Sequence, residues 1–131
     1  KCTHKNDGIL PKTDRILVIG DLHADFKKTK QLFIDFNIID INENWIVKPQ
    51  NTKIVQLGDQ LDGGGRGNSE SFGELDLINF MDRIHSKAET YGGGVFSLIG
   101  NHEIMNLLGD FRYASNKDIE EQGHTVCYRR K

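Results

Sequence analysis

Three short apolar runs, each ending in a glycine-led polar cluster, set what this chain can fold into. Arg15-Ile16-Leu17-Val18-Ile19 leads to Gly20-Asp21-Leu22-His23, and Lys53-Ile54-Val55-Gln56-Leu57 leads to Gly58-Asp59-Gln60-Leu61-Asp62. Gly94-Val95-Phe96-Ser97-Leu98-Ile99 leads to Gly100-Asn101-His102-Glu103. Each run has the length and residue types of a strand, and each Gly-Asp or Gly-Asn marks the turn that ends it. The clusters recur about every forty residues, so side chains far apart in sequence are expected to meet at one end of a sheet.

Helical patterns fill the intervals. Asp25 is placed to cap a helix carrying Phe26, Leu32, Phe33 and Phe36, which ends before Asn37 or Asp40. Leu77, Met81, Ile84 and Ala88 line one face of a second helix that stops before Gly92-Gly93-Gly94. Ile104, Met105, Leu107 and Leu108 suggest a short third helix ended by Gly109. Trp45-Ile46-Val47 reads as a short strand before the turn residues Pro49 and Asn51, and Gly63 to Gly73 reads as an irregular loop. Residues 1–14 are polar and read as a leader or surface strap, with the fold proper starting near Arg15. The fold class is therefore α/β, built of β-α-β units with polar loops at the C-terminal ends of the strands.

The 131 residues suit one domain. A formal net charge of -2 with interspersed signs gives no reason to expect nucleic acid or an anionic membrane as partner. The basic end Arg129-Arg130-Lys131 reads as a solvated tail. No apolar stretch approaches the ~20 residues of a spanning helix. Cys2 and Cys127 read as free thiols, which favours a reducing compartment such as the cytoplasm. The chain has no initiator Met, and oligomeric state is open.

The clusters carry the residue types that phosphate-ester hydrolysis needs. Two dications ~3.5 to 4 Å apart can hold a bridging hydroxide as nucleophile and neutralise the phosphoryl oxygens. Asp21 and His23, two apart, can reach one metal; Asp59 can bridge both; Asn101 can offer an amide oxygen to the second. His102, next to Asn101, is placed as general acid, and Asp62 as the carboxylate that orients its ring. Any one of these short motifs matches freely, whereas three in order, each behind an apolar run, are hard to obtain by chance. His85 is expected to pack or face solvent, and His4 carries no argument.

The clusters resemble the blocks of the calcineurin-like metallophosphoesterases: Gly-Asp-x-His, Gly-Asp-x-x-Asp and Gly-Asn-His-Asp or Glu. Gly92 to Phe96, Met105-Asn106 and above all Gly109-Asp110-Phe111-Arg112-Tyr113 are similar to the Shewanella-like protein phosphatases within that superfamily. The resemblance implies a β-sandwich flanked by helices and a dinuclear site filled by manganese, iron or zinc. It implies metal ligation by Asp21, His23, Asp59 and Asn101, with Asp62 and His102 in the orienting and acid positions. On this likeness residues 15–131 are the N-terminal part of a single catalytic domain whose remaining histidine ligands lie beyond Lys131. The family's phosphate-clamping Arg directly follows the second Asp, whereas here Gly63-Gly64-Gly65 precede Arg66. Arg66 and Arg112, with Asn101, are the candidates for holding the substrate phosphate. Gly123-His124 follows a polar run instead of a strand and is not read as a ligand.

The function expected is metal-dependent dephosphorylation of Ser, Thr or Tyr in a protein or peptide, this piece alone not necessarily being active. A nucleotide or dinucleoside polyphosphate hydrolase of the same superfamily is the alternative enzyme, and a catalytically silent binding relative the alternative of another class.

Overall fold

The computed structural model describes residues 9–63 and 73–119. Three strands, β1 (Ile16–Ile19), β2 (Lys53–Gln56) and β3 (Gly94–Ser97), alternate with the helices α1 (Phe26–Asp35) and α2 (Glu74–Glu89), and α3 (Asn101–Leu107) follows β3. The sheet order is β1-β2-β3, all parallel, with Ile19 opposite Gln56 and Gln56 opposite Ser97. This register aligns the three strand ends, so the three glycine-led turns leave the same edge. The β-α-β units expected from the sequence are thus present, with polar turns after β1 and β2 and a helix starting directly in the third cluster.

Right-handed crossovers between strands in sequential order place both helices on one face. Phe33 of α1 and Phe80 of α2 meet edge to face at 5.3 Å, and Phe26 meets the same Phe80 ring at 5.7 Å. Below them lie Leu17, Ile19, Ile54 and Val95 in one cluster with Leu77, Met81, Ile84 and Ala88. The stripe read from the sequence of α2 is therefore its buried face. On the opposite face Ile16 and Val18 are 59% and 61% exposed, and Leu57, Leu98 and Ile99 beyond the strands are also exposed. Strand residues alternate faces, so helices on one side leave Ile16 and Val18 uncovered and Val55 and Phe96 only half-buried.

Local chemistry explains the helix ends. Asp25 Oδ1 accepts the N–H of Lys28 at 3.0 Å, capping α1 as expected. Asn37, at φ +52, turns the chain out of that helix. Trp45-Ile46-Val47, in contrast, does not form a strand: Trp45 makes only an isolated antiparallel bridge to Ile39. Asp40 accepts the N–H groups of Asn42 and Asn44 in the loop before Trp45, and the N–H groups of Ile46 and Val47 both go to the carbonyl of Ile38, so no ladder continues past the bridge. Trp45 is buried and donates its indole N–H to the carbonyl of Gln50. Residues 9–14 run along the start of β2, where Lys53 Nζ donates to the carbonyl of Pro11. Cys2, His4, Arg66, Cys127, His124 and the basic end lie outside the described residues.

Glu43 ties α1 to α2. It accepts Lys30 Nζ at 2.8 Å and Arg83 Nη2 at 3.4 Å, while Lys87 Nζ donates to its backbone carbonyl. The Lys30 hydrogen bond holds the Glu43 carboxyl below the usual glutamate range, against the opposing effect of burial. A lowered folded value means the stabilisation is full above the unfolded glutamate value and lost as pH falls through the folded one. Glu43→Gln in the full natural chain is expected to cost about 0.5 kcal/mol at pH 7, the scale of such ion pairs. Urea unfolding at pH 7 and at about pH 3 checks this, since the difference should shrink in acid; an equal loss at both would contradict the charge assignment.

Candidate metal centre

The three turns are held together through the backbone of Asp59. Its carbonyl accepts the N–H groups of Leu22 at 3.0 Å and His23 at 2.9 Å, and the carbonyl of Gln60 accepts Ala24 N–H at 2.7 Å. Its carboxylate Oδ1 accepts the N–H of His102 at 2.9 Å. Close approach sets two of the glycines. Gly58 has φ +95, and a Cβ on it would strike the backbone of Gly100; a Cβ on Gly100 would strike the Asp59 carboxylate.

His23, Asp59 and His102 form a compact donor group, with one ligand atom from each within 4.8 Å of the others. The tautomer of His23 follows from its partner. Nδ1 lies 3.2 Å from the carbonyl of Leu61, which can only accept, so Nδ1 carries the proton and Nε2 keeps its lone pair. Asp21 is exposed at the rim, its Oδ2 3.7 Å from His23 Nε2. Asn101, the first residue of α3, is also exposed and shares a cavity wall with His102. The third helix begins at Asn101 and not near Ile104, so Asn101 and His102 stand on a helix turn instead of a loop.

His102 and Asp62 meet as their spacing suggested. His102 Nδ1 lies 2.8 Å from Asp62 Oδ2, with both side chains buried. Asn106, one helical turn after His102, donates from Nδ2 to the same Oδ2 at 2.8 Å. Asp62 Oδ1 is buried and has no hydrogen-bond partner among the described residues. The His102 ring is edge-on to that of His23 at 4.9 Å and tilted against Tyr113 at 5.2 Å.

A cavity of about 600 Å³ opens beside His102, lined by Asn101, Met105, Asp110, Arg112 and Tyr113. Arg112 is paired there with Asp110, Nε to Oδ1 at 2.9 Å and Nη2 to Oδ2 at 2.8 Å. These bonds hold the Asp110 carboxyl below its ordinary range and raise Arg112 above its own. His85 is not part of the site: its Nδ1 faces the backbone of Val95 and its ring meets Phe96.

Sequence reasoning missed three polar residues that hold the turns. Gln56 is fully buried, donating to the carbonyls of Gly20 and Gly58 and accepting the N–H of Gly58. A lone amide inside an apolar strand run was its signal. Asn106 was signalled by its position four residues after His102, and Glu103 by its place in the third cluster.

Two imidazoles and a carboxylate converging at a strand-end edge suit a borderline divalent metal such as zinc, manganese or iron. A family model described as calcineurin-like phosphoesterase matches residues 14–128, and the chain belongs to that family of hydrolases, which use divalent metals. Within it the chain is similar to Shewanella-like protein phosphatase 2 of Arabidopsis thaliana, at 40% identity over 84% of this chain and 26% of that protein. Shewanella-like protein phosphatase 1 of Plasmodium berghei is 34% identical over 81% of this chain and 27% of that protein. A solved cold-active protein tyrosine phosphatase superposes with a TM-score of 0.72 at 26% identity, over 88% of this chain and 32% of that one. The chain spans about a quarter of the length of these curated relatives.

Asp59→Asn is expected to weaken manganese binding by the full natural chain more than about 100-fold, beyond the usual cost of losing an outer hydrogen-bond partner. Calorimetric titration reads this directly, and unchanged affinity would remove Asp59 from the centre.

Proposed function

We propose that the full natural chain is a metal-dependent phosphoprotein phosphatase, with residues 15–131 as the N-terminal part of its single catalytic domain. The observation that carries this reading is the buried His102–Asp62 pair at 2.8 Å beside the His23 and Asp59 donors. Asp21, His23, Asp59 and Asn101 would hold two divalent ions, manganese, iron or zinc. Bound there, the ions supply positive charge that neutralises the phosphoryl oxygens.

The chain's own residues do the rest. Asp62 accepts a hydrogen bond from the Nδ1–H of His102, which fixes the orientation of the ring. Nε2 is then the atom that delivers a proton to the departing oxygen, and Asn106 keeps the Asp62 carboxylate in place. Asn101 and Arg112 line the cavity into which the substrate phosphate would project, with Arg112 offering a guanidinium fork once it shares or exchanges Asp110. Met105 and Tyr113 give that cavity an apolar side. Both this wall and the name of the solved relative support phosphotyrosine over phosphoserine. The curated relatives, named protein phosphatases, favour a phosphopeptide over a nucleotide substrate.

His102 also belongs to the donor group with His23 and Asp59, which favours a second reading of it as a metal ligand. Turnover and metal affinity separate the two. As an acid, His102→Ala should lower kcat about 10²- to 10⁴-fold with manganese affinity near that of the parent; loss of metal in proportion to activity would make it a ligand. A phosphotyrosine peptide should turn over faster than the matching phosphoserine peptide, and the reverse order would overturn that preference.

A further inference from the structure

Glu103 ends in a ring of backbone N–H groups. Its Oε2 accepts from Asp59 at 2.7 Å and Gly100 at 2.7 Å, and its Oε1 accepts from Gln60 at 2.7 Å and Leu61 at 3.3 Å. Three of these donors are successive residues of the turn that carries Asp59. Successive N–H groups around a left-handed residue make a concave anion site, and here the anion is the chain's own carboxylate.

The anion supports a turn of unusual backbone. Asp59 has φ +54, a left-handed conformation that costs a side-chain-bearing residue energy unless its contacts offset it, and its N–H is one of the four that Glu103 accepts; Asp62, at φ +66, donates its N–H instead to Glu74 Oε1 at 3.0 Å. Through the Asp59 carbonyl the same turn holds the N–H groups of Leu22 and His23, and through its carboxylate the N–H of His102. Glu103 thus joins Asn106 and His102 on α3 in holding the second cluster against the third, and among the described residues it alone binds the backbone of the Asp59 turn from there, with the first cluster following through Asp59. Glu103 lies outside the donor group of His23, Asp59 and His102, so this effect is exerted through other residues.

We propose that Glu103 is a positioning residue, whose carboxylate locks the Asp59 turn to α3 and thereby sets the metal affinity and turnover of the site. This rests on the reading of the site as a metal centre. Glu103→Gln keeps the shape of the side chain but replaces one oxygen by an NH₂ group that faces N–H donors and cannot accept from them.

The test is cobalt(II) titration of the full natural chain and its Glu103→Gln variant, followed by the visible d–d spectrum, with p-nitrophenyl phosphate kinetics on the same samples. The expected result is a changed cobalt spectrum, an affinity lower by about 10- to 100-fold and a comparable fall in kcat, with KM within about threefold of the parent. Parental spectrum, affinity and kcat in a variant that has only lost thermal stability would overturn the proposal. If Glu103→Gln does not fold, the same readings on Glu103→Asp decide, since a carboxylate one methylene shorter cannot reach all four donors: a shifted spectrum and weaker affinity support the role, and parental values overturn it. A parent chain that binds no cobalt would overturn the metal-centre reading itself, a different result from bound cobalt that the substitutions leave unmoved.

Discussion

Asp59, in the second turn at the C-terminal edge of the sheet, is bonded to the first and to the third, and the arrangement of the site depends on it. Its carbonyl takes the first turn, its N–H the Glu103 carboxylate, and its own carboxylate the backbone of His102. The residue sits in a left-handed conformation that costs of the order of 1 kcal/mol when unsupported. Its contacts offset that cost, and the glycines at 58 and 100 provide the clearance that the contacts require. Asp59 thus has two places in the structure: its carboxylate belongs to the candidate donor group with His23 and His102, and the same carboxylate accepts the His102 N–H.

The sheet explains why such a tie is available. Parallel strands in register bring Ile19, Gln56 and Ser97 into line, so the second turn begins one strand spacing from each of the other two. Gln56, buried at the end of the central strand, bridges the carbonyls of Gly20 and Gly58. Packing of Phe33 and Phe80 under this edge fixes the helices that feed the turns. The exposed apolar face across the sheet takes no part in forming the donor group.

Much of this was legible from residue pattern alone. The strands announced themselves by apolar runs closed by glycine, α2 by the spacing of Leu77, Met81, Ile84 and Ala88, and α1 by its Asp25 cap. The meeting of Asp62 with His102 followed from placing two turns at one edge. The residues that escaped notice, Gln56, Glu103 and Asn106, bond mainly to backbone or to a carboxylate some forty positions away, and no local pattern encodes a backbone partner. Reading polar residues in a metal motif as ligands also hides those that serve as struts. Trp45 and Val47 have a strand-like composition because they are buried, while the N–H groups of Ile46 and Val47 share one carbonyl, that of Ile38, and form no ladder. The helix α3 starts before its apolar spacing does, because Glu103 folds back onto the N–H of Gly100 and closes the first turn there.

The central claim is that three turns at one sheet edge build a metal site around His23 and Asp59. Crystals of the full natural chain grown with manganese, measured at a wavelength where manganese scatters anomalously, test it most directly. The account predicts anomalous density at the C-terminal edge of β1, β2 and β3, in contact with the side chains of His23 and Asp59. An ordered edge with no anomalous density at saturating manganese, or density only elsewhere on the molecule, would contradict it.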